Sequence, residues 1–124
     1  MISANFVSED ILKRLPDMTR DEVDALPFGA VRLSDNGKVM LYSRTESELA
    51  GIAVEHAEGK NFFMQVAPCC NNRLVYGRFK QGVASGAMDQ TLPFTFTYRM
   101  RPTNVFLKMW RDGAGGNWLF IQRR

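Results

Sequence analysis

Apolar and polar positions change period several times along this chain, and each change marks an element. Phe94, Phe96, Tyr98 and Met100 alternate with Thr95, Thr97 and Arg99, the period of a half-buried strand, predicted over residues 92–100. Pro93, near its start, suits an edge position. Val105, Leu107 and Met109 alternate in the same way over residues 104–111, and the glycine-rich run from Asp112 to Gly116 turns the chain into a last strand at 118–122. Upstream, residues 30–33 and 38–42 read as a hairpin joined by Ser34-Asp35-Asn36-Gly37, because Asn-Gly supplies the positive φ that a tight turn requires. Between the hairpin and the last three strands the period is helical. One helix is predicted over 43–49, with Thr45 and Glu48 as a capping pair and Gly51 ending it, and a shorter one over 61–65. A third covers 75–85, with Val75, Phe79 and Val83 on one face and Ser85-Gly86 as the stop.

The residues before Phe28 carry two helix starts. Ser8 caps a stretch ending ahead of Pro16, and Thr19-Arg20-Asp21-Glu22 has the capping-box pattern for a second helix ending near Leu26. Helices this short are marginal alone and must dock on something. Residues 1–27 are therefore predicted to form a small cap on a core of residues 28–124, within one domain. Two strands, helices and three strands give an α+β class: a five-stranded antiparallel sheet with helices over one face and a small N-terminal helical cap.

Composition narrows the function. Of 124 residues, 45% are apolar and 23% charged, an ordinary globular balance, and 16 basic against 13 acidic side chains leave +3, too little to argue for nucleic acid. Arg99, Arg101, Lys108 and Arg111 alternate with apolar residues and read as a solvated sheet edge. No leader pattern and no apolar run of bilayer length occurs, so membrane insertion is not expected. Cys69 and Cys70 are adjacent, too close for ordinary disulfide geometry, which suits a reducing, cytoplasmic setting. His56, the sole histidine, sits in the polar connector Glu55-His56-Ala57-Glu58, so a cysteine hydrolase would lack its base and a zinc site its fourth ligand. The run 112–116 joins two strands instead of opening a helix, which argues against a phosphate cradle. An enzyme is not expected. Three groups with chemistry remain: Tyr42, Glu46 and Cys69, the last held on a backbone that Pro68 biases away from helix.

These residues stand in recognisable surroundings. Gly59-Lys60-Asn61-Phe62-Phe63, Val66-Ala67-Pro68-Cys69, Tyr76-Gly77, Gly82-Val83-Ala84-Ser85-Gly86 and Phe96-x-Tyr98-x-Met100-x-Pro102-Thr103, with Phe28-Gly29-Ala30, Tyr42 and Glu46, make the chain resemble the photoactive yellow protein family of PAS-fold blue-light receptors. The resemblance implies p-coumaric acid (4-hydroxycinnamic acid) carried as a thioester on Cys69, with Tyr42 and Glu46 hydrogen-bonding its phenolic oxygen and the Cys69 N–H serving the thioester carbonyl. It implies a pocket formed by Val31, Ala50, Ile52, Phe62, Val66, Ala67, Pro68, Phe96, Tyr98 and Met100, with Met100 assisting thermal return. Trans-to-cis isomerisation, proton transfer from Glu46 and partial unfolding would follow illumination. Physical reasoning agrees: a buried phenolate needs donors, and Glu46 donates only while burial keeps it protonated. Two positions depart from the family: Ala50 replaces a threonine and Ile52 an arginine, so altered colour and recovery are expected. The downstream signalling partner is unknown, and a monomer or weak dimer is expected. Two other classes compete: a colourless PAS-type binding or dimerisation module, and, last for want of a base, a cysteine-dependent acyl transferase.

Overall fold

Two short helices open the structure, a computed structural model that describes residues 4–97 and 102–124. In α1 (Glu9–Arg14) the Ser8 hydroxyl accepts from the Ile11 N–H, and α2 (Arg20–Asp24) carries the full capping box between Thr19 and Glu22. Both follow the pattern in the sequence, although α2 stops two residues before Leu26. The hairpin strands are β1 (Gly29–Leu33) and β2 (Val39–Tyr42), and they are followed by α3 (Arg44–Ala50) and α4 (Val54–Ala57). Then come two π-helical turns, Phe62–Val66 and Arg73–Gly77, separated by a 3-10 turn at Pro68–Cys70, and the helix α5 (Arg78–Ser85). Three strands finish the chain: β3 (Asp89–Phe96), β4 (Thr103–Arg111) and β5 (Asn117–Arg123).

The five strands form one antiparallel sheet in the order β2-β1-β5-β4-β3. β3 starts three residues before the apolar alternation does, because Asp89, Gln90 and Thr91 continue the ladder opposite Trp110, Met109 and Lys108. Pro93 lies on this edge strand, where a missing N–H costs no ladder bond. The expected alternation at Tyr98 and Met100 lies outside the described residues.

The central strand β5 is buried on both faces. Leu119 and Ile121 join Val31, Leu33, Leu107 and Met109 under the helices, in the larger core. Trp118 and Phe120 face the other way and meet Val7, Leu15, Val23 and Leu26 from the N-terminal segment. Phe28 bridges this second layer, edge-on to Phe6 at 5.2 Å and to Phe120 at 5.7 Å between ring centroids. Helices thus cover one face as expected, and the cap covers the opposite one. No residue of α1 is fully buried, and Ile11 and Leu12 pack partly exposed against this layer.

One reading of the sheet needs correction. Lys108 and Arg111 are not a solvated edge: β4 is internal, their side chains are 12% and 17% exposed, and they pair with Asp89 at 3.0 Å and Asp35 at 2.9 Å. Arg99 and Arg101 lie outside the described residues. The turn at 112–116 is governed by a buried acid as much as by its glycines. Asp112 Oδ1 accepts from the N–H groups of Ala114 and Gly116 at 2.8 and 2.9 Å, and Oδ2 from the buried Trp118 indole at 2.8 Å. Asp112→Ala leaves these donors without their acceptor and is expected to cost about 2–4 kcal/mol, read as a lower urea midpoint with unchanged slope. A midpoint equal to the parent's would show that the turn does not depend on Asp112.

Candidate functional site

The site begins at the junction of β2 and α3. Tyr42, the last residue of β2, stands opposite Val31 of β1, and both are fully buried. Ser43 then stops the strand and starts the helix. Its buried hydroxyl accepts from the Glu46 N–H at 3.1 Å and from the Ala30 N–H of β1 at 3.0 Å. Ser43, and not Thr45, is therefore the cap of α3, and the Thr45 hydroxyl donates instead to the Leu26 carbonyl at 2.9 Å. This arrangement fixes Glu46 one turn into the helix and aims it inward: only 2% of it is exposed.

Burying a carboxyl group requires room for it, and Gly29 provides that room. A Cβ at Gly29 would collide with Glu46 Oε1 and come within 3.0 Å of its carboxyl carbon. A glycine of β1 is thus the floor beneath the acid. The sequence offers no signal for this beyond the glycine itself, whereas the Ser43-x-x-Glu46 spacing does hint at the cap.

The second half of the site is the irregular segment after Gly59. Asn61 Oδ1 accepts from the N–H groups of Phe63 and Met64, and the Ala67 N–H reaches back to the Phe62 carbonyl at 2.7 Å, a five-residue span. The expected helix at 61–65 is therefore a π-helical turn, a feature that often accompanies functional sites. Asn72 caps the second such turn, so the predicted helix over 75–85 starts as a π-turn and becomes α-helical only at Arg78. Between them, Pro68–Cys70 makes a tight turn in which the Cys70 N–H donates to the Ala67 carbonyl at 2.9 Å and Asn72 Nδ2 donates to the Cys69 carbonyl at 3.0 Å.

One apolar core gathers most of the site residues anticipated from sequence. Val31, Tyr42, Phe62, Val66, Ala67 and Phe96 belong to it, while Cys69 and Ile52 are partly buried against it. Ala50 is buried on α3, and the Ile52 carbonyl accepts from the Ser47 hydroxyl at 2.6 Å. Pro68 is different. It is exposed, so its contribution is to the backbone of the turn and not to the lining. Tyr98 and Met100 lie outside the described residues. Cys70 was not singled out as a site residue, yet it is wholly buried in the same core. The neighbouring Cys69 side chain and burial push the Cys70 thiol far above its ordinary range. Cys69 packs against the same core, at its rim. Exposed His56 on α4 takes no part, and no cluster of potential metal ligands occurs among the described residues.

A thiol at the rim of an apolar core that holds a buried phenol, with a buried carboxyl on the adjoining helix, suits a molecule that is anchored at one end and polar at the other. Residues 17–124 match the family model described as PAS fold. A curated protein named photoactive yellow protein, from Rhodothalassium salexigens, is 37% identical over 119 residues, 95% of each chain.

The chain belongs to the photoactive yellow protein family.

A second member, from Halochromatium salexigens, is 37% identical over 96% of each chain. Among solved structures, the photoactive yellow protein domain of the sensor histidine kinase Ppr from Rhodospirillum centenum superposes with a TM-score of 0.86 at 38% identity. It covers 91% of this chain and 100% of that one. The family consists of PAS-type blue-light photoreceptors, and membership implies a covalently bound chromophore. Among the described residues, no helix is long and apolar enough to cross a membrane.

Proposed function

We propose that this chain carries p-coumaric acid as a thioester on Cys69 and converts a proton shift at Glu46 into release of its N-terminal cap. The observation that supports this most is the burial of Tyr42 in the core whose rim bears Cys69, with Glu46 buried on the adjoining helix α3. When bound, the group supplies blue-light absorption and a double bond that isomerises from trans to cis. Cys69 holds the acyl end, and its N–H serves the thioester carbonyl. Tyr42 and Glu46 donate their O–H groups to the phenolic oxygen, while Val31, Phe62, Val66, Ala67 and Phe96 keep water away. Burial keeps Glu46 in its proton-bearing form, which is what makes it a donor. Once light has disturbed these hydrogen bonds, Glu46 passes its proton to the phenolic oxygen. The carboxylate left behind in the core then costs several kcal/mol, a large share of a small domain's stability.

The contacts that hold the cap suggest how this cost is passed on. Glu58 Oε2 accepts both from Arg20 of α2 at 2.7 Å and from the Tyr42 N–H at 2.9 Å. Asp24 Oδ1 accepts from the Arg44 N–H at the start of α3 at 2.8 Å. The cap therefore grips the two elements that carry Tyr42 and Glu46, and strain there loosens it. In this reading residues 1–27 are the moving part and 28–124 the frame. Ala50 and Ile52 tune the pocket, and Tyr98 and Met100 line it by family resemblance. A cytoplasmic monomer or weak dimer that passes the signal to a separate protein completes the proposal. Nucleic acid and membrane have no part in it.

Reconstitution with activated p-coumaric acid tests the attachment. The parent is expected to gain one coumaroyl group, located on Cys69 by fragmentation of the 59–73 region, and Cys69→Ser to stay colourless. Equal uptake by Cys69→Ser, or a parent with both thiols still free, would overturn it.

A further inference from the structure

The face of the sheet under the N-terminal cap holds a cleft as well as a core. Along β4, Lys108 and Trp110 alternate with Leu107 and Met109 and so face away from the larger core, and Asp89 stands opposite Trp110 in the β3–β4 register. Val7 and the α1 residues Leu12 and Lys13 lie across from them. Between the two walls is a cleft of about 640 Å³, a size that suits a small molecule. Its place follows from how the cap is tied. The Arg20–Glu58 and Asp24–Arg44 hydrogen bonds hold the cap at the β2 side of the sheet, whereas the cleft lies at the β3–β4 side.

The chemistry of the walls is uneven. Trp110 Nε1 is buried and finds no hydrogen-bond partner among the described residues, although burying a donor unpaired is unfavourable. Lys108 carries three N–H donors on a side chain only 12% exposed, and among the described residues only Asp89 accepts from it, at 3.0 Å. Its Nζ lies 5.4 Å from the centroid of the Trp110 ring. Asp89 is 66% exposed, so water screens its charge more than that of Lys108. Exposed Glu9 and Lys13, on the helix side, are of opposite sign and offset each other. Two donors, one of them cationic, thus share the sheet wall of a cleft whose other surfaces include apolar Val7 and Leu12. We propose that this cleft binds a small carboxylate with an apolar body, its oxygens accepting from Lys108 Nζ and Trp110 Nε1 and its body lying against Val7, Leu12 and the indole ring. One wall is the cap and the other the sheet, so the ligand is held only while the cap is closed, and it favours closure. The proposal goes beyond the photoreceptor reading and needs no chromophore; only its consequence for light-driven opening depends on that reading.

Isothermal titration calorimetry of the full chain in darkness tests this, with phenylacetate as the probe and phenylacetamide as its uncharged isostere. Phenylacetate is expected to bind saturably and roughly tenfold tighter than phenylacetamide, since hydrogen bonds to a charged group are the stronger kind. Lys108→Met, which keeps the apolar stem, should weaken phenylacetate binding roughly tenfold, and Trp110→Phe should weaken it by a smaller factor. Asp89→Asn should act in the opposite direction and tighten binding roughly threefold, because the competing carboxylate is gone. With phenylacetate at about ten times its Kd, hydrogen exchange over α1 should slow about tenfold. Circular dichroism checks the fold of each variant, and if Lys108→Met does not fold, the sign of the Asp89→Asn effect decides. No saturable heat with phenylacetate, equal affinity for phenylacetamide, an affinity unmoved by Lys108→Met, or one not raised by Asp89→Asn would overturn the proposal. None of these outcomes bears on whether the loaded protein is coloured and responds to light, so the photoreceptor reading stands or falls separately.

Discussion

Replacing Glu46 with Gln is expected to give a loaded, coloured protein in which light no longer frees the N-terminal cap to any large extent. The amide keeps a hydrogen-bond donor of nearly the same shape but has no proton to give. Illumination then leaves no carboxylate in a site that is 2% exposed. If that buried charge contributes about 3 kcal/mol toward opening, removing it lowers the opening equilibrium by roughly 100-fold. Hydrogen exchange over residues 4–26 reads this directly. In the parent, exchange there should rise strongly under blue light, and in Glu46→Gln it should stay close to the dark level. Equal light-driven exchange in the two proteins would mean that the cap responds to something other than the charge on Glu46.

The second large effect is expected one strand away. Gly29→Ala puts a methyl group where the Glu46 carboxyl lies, with contacts to its carboxyl carbon at 3.0 Å and its Cβ at 3.1 Å. The backbone cannot easily retreat, since Gly29 is paired with Ile121 of β5 and the next residue, Ala30, is bonded to Ser43 through its N–H. Glu46 must therefore move. Overpacking of this kind costs about 1–3 kcal/mol, and the displaced acid should also shift the absorption of the loaded protein. A double-mutant cycle separates the clash from other effects of Ala. In a Glu46→Ala background the Gly29→Ala change should cost less than half as much, measured by urea denaturation. If the cost is the same in both backgrounds, Gly29 is not the floor on which Glu46 rests.

Much of the sheet was legible because strands buried by alternation leave a period in the sequence. Val105, Leu107 and Met109 line up on one face of β4 as their spacing implies, and Asn36-Gly37 marks the hairpin, with φ of 88° at Gly37. Both N-terminal helix starts were visible for a similar reason, since a cap is a local hydrogen bond between residues three apart. Choices decided by distant contacts were not. Ser43 and Thr45 each satisfy a capping pattern, and the Ala30 N–H, brought across by β1, selects Ser43. The π-helical turns escaped because a five-residue hydrogen-bond span leaves no distinct spacing of apolar residues, and the asparagines that cap them read as ordinary loop residues. Lys108 and Arg111 looked solvated until the sheet order placed β4 inside and supplied Asp89 and Asp35 as partners.

The candidate site shows the same division. Tyr42, Glu46 and Cys69 stand out because their neighbours in sequence resemble a family, and the fold buries Tyr42 and Glu46 and leaves Cys69 at the rim of the core that holds Tyr42. Gly29, which makes room for Glu46, touches it only through the tertiary structure. A pocket's reactive groups can be read along a chain more readily than the residues that make room for them.

The central claim is that light acts on a group held by Cys69 and sensed by Glu46. The most direct measurement is the visible absorption of the parent chain after reconstitution with activated p-coumaric acid, followed through a blue-light pulse and into darkness. The account predicts a yellow protein whose visible band bleaches under the pulse and returns in the dark. A band that does not respond to light, or a chain that stays colourless, would contradict it.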